Sequence, residues 1–72
     1  MENSQETKDK VEYIFDTLFD CDTTITNLSK KTGISRATLH HWKRGGYVND
    51  KLRLKIAYKE VQQMVRRNVI NQ

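Results

Sequence analysis

Val11, Ile14, Phe15, Leu18 and Phe19 fall at i, i+3, i+4, i+7 and i+8, with polar or charged residues at most positions between them. That spacing is the apolar stripe of an amphipathic helix, predicted over about residues 7–19. Glu6 and Asp9 lie in or near its first turn, where carboxylates favour the helix dipole. Residues 1–5 are mostly polar and are expected to fray. Asp20 to Thr24 reads as a polar turn whose side chains can cap the next helix.

Between Thr24 and Gly46 the punctuation is denser. Thr24 is a suitable N-cap for a short helix carrying Ile25 and Leu28. Gly33 falls where that helix should stop, in the position that tolerates positive φ. Ile34 then points inward and Ser35 caps a third helix, which carries Leu39 and Trp42 and ends at Gly45-Gly46. In the last third, Leu52, Leu54, Ile56 and Tyr58 alternate with polar or small residues, which read alone suggests a strand. Leu54, Ala57, Tyr58, Val61, Met64 and Val65 keep helical spacing over three turns, and no glycine or proline occurs from 47 to 72. A helix over about 50–67, capped by Asn49 or Asp50, is the stronger prediction. The chain then has four helices, or five if the long one breaks.

Composition narrows the function classes. No apolar run approaches the ~20 residues that a bilayer span needs, and a single cysteine builds neither a disulfide framework nor a Cys-rich zinc cage. No charged-then-apolar leader opens the chain, so a reducing cytoplasm is the expected compartment. The net charge of +4 hides a segregation. Residues 1–22 carry seven acids against two lysines, a balance of −5, whereas residues 23–72 carry eleven Lys and Arg against two acids, a balance of +9. A basic body suggests a nucleic-acid partner, although basic charge alone is a weak signal.

The segment from Ile25 to Arg44, ITNLSKKTGISRATLHHWKR, resembles the helix-turn-helix of the Cro and phage-repressor class of bacterial regulators. That class has an apolar residue, a small residue directly after it, a glycine four further on, an apolar residue next, then two core positions in the second helix. Leu28, Ser29, Gly33, Ile34, Leu39 and Trp42 fill those places in turn. Ser29 is small where two helices cross closely. Thr32 is more polar than usual before the glycine and is expected to loosen the packing slightly. The resemblance implies an all-α, four- to five-helix domain of the lambda-repressor-like helix-turn-helix type, one unit over residues 1–72 with the helix-turn-helix at 25–44.

Helical geometry sorts the third helix without reference to the family. At roughly 100° per residue, Ser35, Leu39 and Trp42 share one side, and Ala37, His40, His41 and Arg44 share the other, with Arg36 and Lys43 on its flank. A face of two arginines, a lysine and two histidines around a small alanine can enter a major groove about 12 Å wide. Arg36, near the helix start, is placed to reach a base edge, and arginine matches the acceptor pair of guanine. His40 can donate to a base or a phosphate; Lys43 and Arg44 are placed to grip phosphate, as is Ser35 or Thr38 with the first amides. Trp42 shares a face with Leu39 and reads as core, and Lys30 and Lys31 favour the C-terminal dipole of the second helix.

Other chemistries fail on spacing. An EF-hand from Asp20 would place Ile25 at the glycine position and Lys31 at the terminal glutamate. Adjacent His40 and His41 diverge by roughly 100° on a helix and cannot readily share a metal. Gly45-Gly46 lacks the lysine-serine sequel of a phosphate loop, and no serine or cysteine has a base and an orienting acid around it. No enzyme activity, metal, cofactor, small-molecule ligand or membrane is expected.

Two functions stay open. One is a small transcriptional regulator that binds operator DNA and is set by its own concentration, an economy that resembles the lytic-side regulators of temperate bacteriophages. The other is an antirepressor or modulator that binds a repressor protein through the acidic first helix, with Glu12 and Asp16 as contact candidates. Val61, Met64, Val65, Val69 and Ile70 either complete a small core or form a partner or homodimer seam. A two-fold dimer would set two recognition helices one DNA turn apart.

Overall fold

Side-chain caps divide the chain into helices. A computed structural model describes residues 2–70, the side chains of Val69 and Ile70 excepted. It has α1 (Gln5–Asp20), α2 (Ile25–Thr32), α3 (Arg36–Lys43) and α4 (Lys51–Ile70), with no strand among the described residues. Thr24 accepts from the Asn27 amide, Ser35 from the Thr38 amide and Asp50 from the Arg53 amide. Asp50, not Asn49, therefore caps the last helix. No described helix is long and apolar enough to cross a membrane.

The first helix begins earlier than its hydrophobic stripe indicates. Ser4 Oγ accepts from the Thr7 amide at 3.2 Å, so α1 starts at Gln5. Asn3, expected to fray, is a clamp: its Oδ1 accepts from the Val48 amide at 2.7 Å and its Nδ2 donates to the Gly46 carbonyl at 3.0 Å. Thr7 is buried and accepts from Lys51 Nζ at 3.0 Å, tying the start of α1 to the start of α4. Of residues 1–5, Met1 lies outside the described residues. Asn3→Ala removes both clamp bonds and leaves the Val48 amide short of a partner. It is expected to cost about 1–2 kcal/mol, read as a lower urea midpoint at unchanged slope.

The core draws on every element: Ile14 and Leu18 of α1, Leu28 of α2, Ile34 of the turn, Leu39 and Trp42 of α3, Val48 of the loop, and Leu54, Ala57, Val61 and Met64 of α4. α4 is one unbroken helix packed on α1 and α2. Leu52 and Ile56 from the alternating set stand 68% and 41% exposed, because only positions at helical spacing from Leu54 meet the other helices. Val61 and Met64 are enclosed, so they complete the core and do not form a seam; Val65 is half-buried. The expectation for Val69 and Ile70 lies outside the described side chains.

Phe19 departs from its predicted role. It is 85% exposed, although it extends the stripe of Val11 and Phe15. The chain turns away just beyond it: Asp22 adopts φ 55°, the Asp22 amide donates to Phe19 O and the Thr23 amide to Leu18 O. This paired closure ends the helix and carries the next segment to the Leu18 side, leaving Phe19 uncovered.

Candidate nucleic-acid interface

α2 and α3 form a two-helix unit whose turn is held by side chains. Gly33 takes φ 77° with its amide on the Ser29 carbonyl. Ser29 Oγ donates to the Ile34 carbonyl, so Ser29 both permits close approach and bonds across the turn. Thr32 behaves contrary to expectation. Its hydroxyl donates to Leu28 O at 2.8 Å and accepts from the Ile34 amide at 3.2 Å, so its polarity closes the turn instead of loosening it. Thr32→Val keeps the volume but leaves that amide unpaired, and is expected to cost about 1 kcal/mol in a thermal or urea melt.

With Leu39 and Trp42 turned into the core and Thr38 half-buried, the other positions of α3 face outward. Arg36, Ala37, His40, His41, Lys43 and Arg44 are all exposed, as is Ser35. Ser35 Oγ is engaged locally, accepting from the Thr38 amide and donating to Thr38 Oγ1 at 2.8 Å. α3 ends in a paired closure in which the Gly45 amide donates to Trp42 O and the Gly46 amide to His41 O, with Gly45 at φ 90°. A methyl group on Gly46 would collide with the His41 ring, so that imidazole folds back on its own helix end. His41 is thus exposed but turned back over the Gly46 end of its own helix.

Lys43 separates from the rest of the set. It lines a groove between α1 and the end of α3, with Val11, Glu12, Phe15 and Asp16 on the α1 side. Glu12 and Asp16 share that groove with Lys43 without pairing with it within 4.0 Å, and their charge opposes a phosphate there. On the opposite flank, Ala37, Thr38 and His41 share a concavity with Tyr47, Asn49, Asp50 and Arg53 from the loop and the start of α4. Sequence reasoning missed Asn49 and Arg53 as neighbours of this face. The available signal was their position beside the cap Asp50, to which Arg53 also pairs at 3.3 Å.

Electrostatics reflect the order of charges along the chain. From Thr23 to Asn49 there is no Asp or Glu, while Lys30, Lys31, Arg36, Lys43 and Arg44 supply five cations. None of the five has an ion-pair partner within 4.0 Å among the described residues. Of the residues offered as protein contacts, Glu12 and Asp16 are exposed on α1, whereas Val61 and Met64 are unavailable in the folded chain. Cys21 is a half-buried free thiol packed against the core. Comparison of the chain with family models, curated proteins and solved structures finds no match.

Proposed function

We propose that this domain is a helix-turn-helix module of the lambda-repressor-like type that binds duplex DNA through the outward face of α3 and regulates transcription. The supporting observation is that face itself: Arg36, His40 and Arg44 stand exposed around Ala37, in a stretch of chain without a single carboxylate. An eight-residue helix is about 12 Å long and fits within one major groove. Arg36, at the helix start, reaches base edges. Arg44, at its end, holds phosphate, and Asn49 and Arg53, which share a concavity with Ala37 and His41, extend the contact along the backbone once Arg53 exchanges Asp50 for phosphate.

Binding of this kind releases counterions, so the logarithm of affinity falls linearly with the logarithm of salt concentration. Arg44→Ala should weaken all sequences alike and reduce the salt slope by about 1, measured by fluorescence anisotropy on cognate and scrambled duplexes. A slope unchanged by that substitution would remove Arg44 from the interface. The alternative partner, a repressor protein, rests on Glu12 and Asp16; it predicts that reversing those charges abolishes the activity while Arg44→Ala leaves it intact.

A further inference from the structure

Among the described residues four large hydrophobic side chains stand exposed, and three of them are Phe19 on α1 and Leu52 and Ile56 on α4. They sit in two surfaces of opposite charge. On α1, Val11, Phe15 and Phe19 form a row at four-residue spacing, and Glu12, Asp16 and Asp20 form the row beside it. Val11 and Phe15 line a groove together with Glu12, Asp16, Lys8 and Lys43, and Phe15 and Phe19 line an adjoining concavity that reaches Ile25 and shares Lys43. On α4, Leu52 and Ile56 form a short apolar row, and Lys55 and Lys59, each three residues on, stand next to it. Glu12, Asp16, Asp20, Lys55 and Lys59 are exposed and have no ion-pair partner within 4.0 Å among the described residues.

We infer that the α1 groove is a docking site for α4 of a second copy of this chain, with Leu52 and Ile56 against Phe15 and Phe19 and with Lys55 and Lys59 against Glu12, Asp16 and Asp20. The complement of the acidic, apolar surface is carried by the same molecule at matching helical spacing, which selects a second copy over an unrelated partner. Because the two surfaces differ, the contact is head-to-tail: each copy offers one surface of each kind, so association either closes into a ring or propagates as an open array. Two helices meeting along two or three turns cover less than a stable dimer needs, so association is weak and depends on concentration. Salt weakens it, since the charged rows are solvent-exposed. Neither row includes a residue of the outward face of α3, and the contact stands whether or not that face binds DNA.

Sedimentation velocity of the full chain at rising concentration tests this without any DNA. The expected result is a weight-average mass that climbs with concentration at low salt and falls back toward the monomer at high salt. Glu12→Lys with Asp16→Lys, and separately Lys55→Glu with Lys59→Glu, should each weaken association about tenfold or more. Mixing the two variants in equal amounts should restore it, because each then meets its complement. Phe19→Ser, at an exposed position that leaves the fold intact by circular dichroism, should weaken it as well. A wild-type chain that stays monomeric at low salt would overturn the inference. So would an oligomer that survives both charge reversals, or two variants that remain monomeric when mixed.

Discussion

Leu39→Ala is expected to take away about half of the stability of this domain. Leu39 is fully buried, and truncating an enclosed leucine costs about 2–5 kcal/mol through lost burial and the cavity left behind. A chain of 72 residues has roughly 4–11 kcal/mol in total at the usual ~0.05–0.15 kcal/mol per residue. The loss has a particular address. α3 has eight residues, far below the ~12–15 at which an isolated helix becomes marginal, so its helicity depends on what Leu39 and Trp42 bury. Urea unfolding should show a large drop in midpoint with little change in slope. Leu52→Ala, at a side chain 68% exposed, is the control and should shift stability by no more than about 0.5 kcal/mol. Equal effects from the two substitutions would mean that α3 does not pack as described.

Arg36→Ala should leave the melt unchanged and weaken specific DNA binding by about 1–3 kcal/mol, roughly 5- to 150-fold. Arg36 is the first residue of α3 and is exposed, with no ion-pair partner within 4.0 Å among the described residues. Its removal therefore costs the folded state little. On the proposed reading a bidentate pair with guanine would be lost, so the base opposite Arg36 should also cease to matter. Competition by duplexes altered one base pair at a time reads this directly: one position that discriminates for the wild-type chain should become neutral for the variant. Lys43→Ala should do much less, because that side chain lines the α1 groove that Glu12 and Asp16 also line. An Arg36 variant with unaltered affinity and unaltered base preference would take the arginine out of base recognition.

How much the sequence disclosed depends on how far apart the interacting groups are. The α2–turn–α3 unit was legible nearly to the residue because Thr24, Gly33 and Ser35 act on amides or carbonyls within a few positions of themselves. The exposure of the α3 face was legible for the same reason, since helical angle alone decides it once Leu39 and Trp42 are inward. Contacts between distant positions were not legible. Asn3 acts on Gly46 and Val48, forty-three and forty-five residues away, and nothing near Asn3 in the chain signals that. Periodicity also finds the apolar side of a helix without saying which part of it a neighbour covers. Phe19 kept the period and lost its cover at the turn through Asp22, while Val61 and Met64 became core because α4 packs on α1 and α2. Lys43 sits at a flank angle that suits DNA in isolation, and only the placement of α1 brings it into one groove with Glu12 and Asp16.

Recognition of duplex DNA by α3 should need no help from another protein. The most direct measurement is a mobility-shift titration of the purified chain alone, at low salt, on the regulatory DNA flanking its own coding sequence. A retarded complex should form, resist competition by scrambled duplex, dissolve steeply as salt rises and weaken with Arg36→Ala. If the chain alone gives no complex at low salt, or one that scrambled DNA competes away as readily as the locus itself, specific recognition by α3 is contradicted.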